Sequence, residues 1–122
     1  MFTLSKEFRF EASHRLPAHD GKCARLHGHS WVGWVYCEGP ELQNTGPKAG
    51  MLIDFADLKK LLKPLLEDYL DHHHLNDTTG LENPTSEELC RWIYDQLKPQ
   101  LPSLVAVELR ETCTSRCRYQ PA

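Results

Sequence analysis

The segment KCARLHGHS, residues 22 to 30, places a thiol, Cys23, just ahead of two imidazoles, His27 and His29. Side chains alternate along an extended strand, so His27 and His29 project from one face and can grip a single ion. His14 offers a third imidazole, because it closes an alternating run in which Phe2, Leu4, Phe8, Phe10 and Ala12 share its parity. Three neutral imidazoles leave one tetrahedral position open, which is the ligand set of a catalytic zinc. His-Gly-His by itself fits a polar strand start equally well; His14 at matching parity favours the metal. Two roles fit Cys23. As a fourth ligand it would close a structural site and leave no room for substrate. As a base or nucleophile it would sit at the lip of the pocket, where a free thiol of pKa about 8.5 needs a nearby cation or metal to ionise near neutrality.

A second cluster, LDHHHLND, spans residues 70 to 77. Three consecutive imidazoles fanned around a helix end do not easily share one ion. Asp71 before His72 reads as a carboxylate that orients an imidazole. The plainer reading is a solvated helix terminus, where the dipole favours histidine. A third feature is one acid. In VAVELRET, Glu111 shares its parity with Val105, Val107 and Leu109, so it points to the core side, where an unpaired carboxylate is costly. It is either satisfied internally or awaits a ligand with paired N–H donors, such as the edge of a guanidine-like heterocycle. Cys113 and Cys117 are too far apart along an extended strand to form a metal pair and read as structural thiols.

These residues need elements to hold them. A chain of 122 residues suits one domain, 1–122, with one core. The alternation over 2–14 predicts a half-buried strand, and HGHSWVGWVYC predicts a second, rich in aromatic and β-branched residues. After a Gly- and Pro-rich loop, Asp54 caps a helix through about Leu70, with Phe55, Leu58, Leu61, Leu62, Leu65, Leu66 and Tyr69 as its apolar stripe. Pro64 should kink or break it. Thr85 and Glu88 have capping-box spacing and open a second helix that buries Leu89, Trp92, Ile93 and Leu97. SLVAVELRET is a third strand and SRCRYQ a short fourth. The order β-β-α-α-β-β gives an α+β fold, a mostly antiparallel sheet with two helices on one face. Its open edges invite edge-to-edge assembly into a larger barrel.

The net charge of -3 leaves no basic footprint for nucleic acid. Charges at Lys6, Glu7 and Arg9 leave no apolar region for a signal peptide, and no apolar run reaches membrane-spanning length, so a cytoplasmic protein is expected. The five cysteines are then more readily structural, metal-binding or catalytic than disulfide-bonded.

Taken together, FEASHRLP, CARLHGHS, IDFADLK, LDHHHLND, NPTSEELCRWIYDQL and RETCT resemble the 6-pyruvoyl-tetrahydropterin synthase family over nearly the whole chain, with its bacterial queuosine-pathway branch as the nearest likeness. The resemblance implies a T-fold whose subunits form trimers that stack into hexamers, with active sites at subunit interfaces. It implies zinc on His14, His27 and His29, and Cys23 as a proton-abstracting residue and not a ligand. His72 and Asp71 are implied as a relay from a neighbouring subunit, Glu111 as the pterin anchor and sometimes part of that relay, and Thr85 and Ser86 as hydroxyls near the pterin. The implied reaction converts 7,8-dihydroneopterin triphosphate to 6-carboxy-5,6,7,8-tetrahydropterin with release of triphosphate and acetaldehyde. Lys22, Arg15 and Arg25 are candidates for holding the anionic part, and His73 and His74 carry no assigned role. Two rivals stand beside this reading: the pyruvoyl-forming reaction on the same fold, and a zinc-binding module without chemistry in which Cys23 closes the site.

Overall fold

A computed structural model describes residues 1–111 and 114–122 of the chain. Strand β1 (Phe2–His14) and strand β2 (His27–Gly39) form a long antiparallel pair that sets Phe8 opposite Gly33, Ala12 opposite His29 and His14 opposite His27. The alternation seen in the sequence is the physical burial pattern. Phe8, Phe10, Ala12 and His14 are buried, while Glu7, Arg9 and Glu11 face outward. Phe2 departs from it: at the strand's first position it is 46 % exposed.

Helix α1 (Phe55–Leu65) begins as expected, with the Asp54 carboxylate accepting from the Ala56 N–H at 2.9 Å. Pro64 does not break it. The chain stays helical and widens into a π-helical turn, Leu66–Leu70, which ends where the Asp71 N–H donates to the Leu66 carbonyl at 2.7 Å. The buried stripe is narrower than expected, since Phe55 and Tyr69 are exposed at its two ends. Helix α3 (Ser86–Leu97) is capped by the Thr85 hydroxyl, which accepts from the Glu88 N–H at 3.1 Å. Only that half of the capping box is present: the Glu88 carboxylate turns to Arg91, and the Thr85 N–H donates to the Asn83 carbonyl. Trp92 is half-buried, and Cys90 and Tyr94 join Leu89, Ile93 and Leu97 on the packed face.

Strand β4 (Leu104–Arg110) pairs with β2, and β5 (Cys117–Tyr119) pairs with β4, both antiparallel. The expected parity of Val105 fails. A register shift opposite Tyr36 and Cys37 turns it out of phase, so Leu104, Val107 and Leu109 are buried and Val105 is not. Two further elements follow the π-turn without a signal in the sequence pattern. Strand β3, only His73–His74, pairs parallel to β1 at Ala12 and Ser13, and a one-turn helix α2 (Leu75–Thr79) follows. The sheet order is β3-β1-β2-β4-β5, an α+β fold with one parallel edge.

The helices cover one face of the sheet, where stacked rings run through the core. Phe8 lies on Phe10 at 6.1 Å between centroids, and Phe10 on Trp31 at 5.6 Å, all nearly parallel. The opposite face is polar and aromatic, with the Arg116 guanidinium 4.6 Å above the Trp34 ring and that of Arg118 4.5 Å above Tyr36. Cys113, expected to be a structural thiol, lies outside the described residues; Cys117 is half-buried beside Cys90.

Candidate metal centre and flanking clefts

The cross-strand pair His14–His27 and its diagonal neighbour His29 share the inward face of β1 and β2, so their rings converge. Centroids are 4.5 Å apart for His14–His27, 5.1 Å for His14–His29 and 4.9 Å for His27–His29. One ligand nitrogen from each lies within 4.8 Å of the others, and among the described residues no further His, Cys, Asp or Glu joins this group. Cys23 is therefore outside it. Trp31, 1 % exposed, forms the floor, 5.2 Å from His14 and 5.4 Å from His29.

The tautomers follow from the partners. A carbonyl oxygen only accepts, so Nδ1 of His14 donates to the Pro84 carbonyl at 2.9 Å and Nδ1 of His27 to the Arg25 carbonyl at 2.7 Å. Each ring then presents Nε2 as a lone pair, the arrangement in which an outer carbonyl orients a metal-binding imidazole. His14 is fully buried, and its Nε2 has no hydrogen-bond partner among the described residues. A buried acceptor left unpaired is costly. A cation held among the three rings would relieve that cost, and the all-nitrogen donor set suits zinc. Burial pushes both His14 and His29 below the ordinary imidazole value, partly offset by the Pro84 carbonyl for His14 and by the Glu111 carboxylate for His29. Lowered values favour the neutral ring, the form that binds a metal.

Glu111, at the end of β4, points inward as its parity implied, and it has partners. Its Oε1 accepts from the Ser86 hydroxyl at 2.9 Å, and its Oε2 lies 3.5 Å from Nε2 of His29. Thr85 accepts the cap bond on its hydroxyl oxygen and retains the hydroxyl hydrogen to donate. A cleft of about 300 Å³ opens beside Glu111 and Ser86 and is bounded also by Arg116 and Cys117.

Cys23 sits on a single helical turn, Lys22–Ala24, in the loop between β1 and β2. It lines a cleft of about 330 Å³ with Lys22, Arg25, His27 and His29, so the thiol is a neighbour of the triad. Arg15 ties into the same loop, its Nε donating to the Ala24 carbonyl at 3.2 Å.

His72 and Asp71 are elsewhere. They do not fan around a helix end. His72 adopts a left-handed backbone, φ 61°, at the step from the π-turn into β3. Its N–H donates to the Glu11 carbonyl, and Asp71 bridges the junction, with Oδ1 accepting from the Glu11 N–H at 2.9 Å and Oδ2 lying 3.0 Å from Nδ1 of His72. The Glu11 N–H, and then His72, hold the Asp71 carboxyl below its usual range. His72 opens onto a broad cleft of about 650 Å³, shared with Glu11, Ser13, Ser30 and His74, that reaches the back of His29. Within one chain, Cys23 and His72 thus line different clefts. His73 and His74 gain plain structural partners: Nε2 of His73 bonds the Glu67 carbonyl and Nδ1 of His74 the Ser13 hydroxyl.

Comparison with known proteins gives a consistent picture. The sequence profile of the family described as 6-pyruvoyl tetrahydropterin synthase matches residues 3–122. A Synechocystis protein named 6-carboxy-5,6,7,8-tetrahydropterin synthase is 52 % identical over 98 % of this chain and 93 % of its own length. The Haemophilus influenzae protein of the same name is 37 % identical over 98 % of this chain and 99 % of its own. Among solved structures, 6-pyruvoyl tetrahydropterin synthase from Caenorhabditis elegans superposes with a TM-score of 0.84 at 28 % identity, covering 99 % of this chain and 96 % of that one.

Proposed function

The chain belongs to the 6-pyruvoyl tetrahydropterin synthase family, and from that membership we propose that it is a zinc-dependent 6-carboxy-5,6,7,8-tetrahydropterin synthase serving queuosine biosynthesis. The observation that carries the metal part is the buried His14, oriented by the Pro84 carbonyl, with its unpartnered Nε2 facing two further imidazoles. Zinc held by His14, His27 and His29 supplies Lewis acidity toward the side-chain oxygens of 7,8-dihydroneopterin triphosphate.

The remaining roles fall to the chain's own groups. Glu111 accepts the paired N–H donors of the pterin edge, with Thr85 and Ser86 adding hydroxyls beside it. Cys23, next to the triad and not among its ligands, moves a proton at the side-chain carbon. Lys22 and Arg25, in the same cleft, hold the anionic triphosphate. Because His72, held by Asp71, lines a cleft other than the one that Cys23 lines, the pair acts on the thiol of a neighbouring copy, in a homo-oligomer of trimers or stacked trimers. No helix among the described residues is long and apolar enough to cross a membrane.

The likeness to the nematode structure favours one second reading, the pyruvoyl-forming reaction. Incubating the zinc-loaded protein with 7,8-dihydroneopterin triphosphate and weighing the products tests both. The 6-carboxy product with acetaldehyde supports the proposal, and a 6-pyruvoyl product moves the chain to the other reaction. Absence of turnover, together with a thiolate charge-transfer band in the cobalt-substituted protein, would mark a closed, non-catalytic site.

A further inference from the structure

Among the described residues, two hydrogen bonds that tie the start of the Cys23 loop to the rest of the fold run through one side chain that the functional reading leaves unused. Asn76, in α2, places its amide against the residue that follows β1. Oδ1 accepts from the Arg15 N–H at 2.9 Å, and Nδ2 donates back to the Arg15 carbonyl at 2.9 Å. The side-chain amide thus imitates a peptide group and adds one more rung to the short β3–β1 ladder, beyond its last backbone pair at Ser13–His74. The same Nδ2 reaches the Glu82 carbonyl at 3.2 Å.

The backbone held this way leads straight to the thiol. The Leu16 N–H, next along the chain, donates to the Cys23 carbonyl at 3.0 Å, and the Arg15 guanidinium donates to the neighbouring Ala24 carbonyl. Without Asn76, the β1 end would leave the sheet at His14, and the Arg15–Leu16 stretch that fixes the Cys23 turn would lose its anchor. We propose that Asn76 is a positioning residue for Cys23, a side-chain rung that sets where the thiol stands relative to the triad. This rests on the reading of Cys23 as the proton-moving group. His14 keeps its own supports, the β2 ladder and the Pro84 carbonyl, so metal content should be independent of Asn76.

The test compares Asn76→Ala and Asn76→Asp with Cys23→Ala in the zinc-loaded full chain. Asp is nearly the same size and keeps the acceptor for the Arg15 N–H but removes both donors, so it serves if the alanine protein unfolds. In the Asn76 variants kcat should fall about 10²-fold, the cost of displacing a reacting group by about an ångström. KM and zinc per chain should hold. The Leu16 amide should exchange faster while core β2 amides stay protected, and the rate of Cys23 alkylation by iodoacetamide, read on its own peptide, should change. An undiminished kcat in both variants, or a loss no larger than the unfolded fraction, would overturn the proposal. Turnover lost in Cys23→Ala but kept in the Asn76 variants would sink it alone. Turnover surviving in Cys23→Ala would remove the reading of Cys23 and this inference with it.

Discussion

A thiol beside three imidazoles is either bound with them or reactive next to them, and the two cases respond differently to its removal. The group that could hold a metal ion comprises His14, His27 and His29, with Cys23 in the adjoining cleft. Cys23→Ala should therefore keep its zinc while turnover falls by about 10²- to 10⁴-fold, the usual loss when general-base help disappears. On the proposed function the two residues act as a unit, so His72→Ala should slow turnover comparably and the double variant should be little worse than either single. Zinc measured per chain alongside steady-state rates decides between the roles; metal lost with the thiol would make it a ligand. Glu111 calls for a different comparison. Glu111→Gln can still accept from the Ser86 hydroxyl, but it sets an N–H where, on the proposed function, the pterin edge also donates. With charged hydrogen bonds worth about 1.5–3 kcal/mol each, kcat/KM should drop about 10²-fold with the thermal midpoint nearly unchanged. Unaltered kinetics would mean that the carboxylate serves only Ser86 and His29.

At the scale of elements, much was legible because one buried face imposes a period. The parity of β1 brought His14 to the inward side with Phe8 and Phe10, and the caps at Asp54 and Thr85 marked both helix starts. What stayed hidden has no local signature. Strand β3 is two residues long, too short for any alternation, and forms only because Glu11, Ala12 and Ser13 offer it an edge. The displacement of Val105 comes from the register against β2 and not from its own neighbours. The Pro84 carbonyl that orients His14 is a backbone group and leaves no trace in residue types. Gly33 shows how tightly packing and site are joined. A Cβ there would lie 2.3 Å from the Phe8 ring, whose stack continues through Phe10 to Trp31, the floor under His14 and His29. Gly33→Ala should cost about 1–3 kcal/mol, as overpacking does, and should weaken zinc binding although no ligand is touched. Calorimetric melting with a zinc titration checks both; a stable protein of normal affinity would show that the ring stack yields freely.

For the whole molecule, Cys23 and His72 line different clefts, and the proposed function treats them as halves of sites completed between copies. If copies complete each other, Cys23→Ala and His72→Ala proteins, each slow by itself, should regain activity when unfolded and refolded together, with up to about a quarter of sites receiving both intact groups. A mixture as slow as its parts would place each site within one chain. The left-handed His72 bears on a further matter, how this protein would respond to selection for heat tolerance. An L residue in that conformation costs about 1–2 kcal/mol, which glycine avoids, less the entropy glycine gives up on folding. His72→Gly should thus melt no lower than the parent, and up to a few degrees higher, while losing turnover. A screen rewarding only survival of the fold would drift toward glycine here, and would read as an improvement the deletion of an imidazole that the proposed function needs.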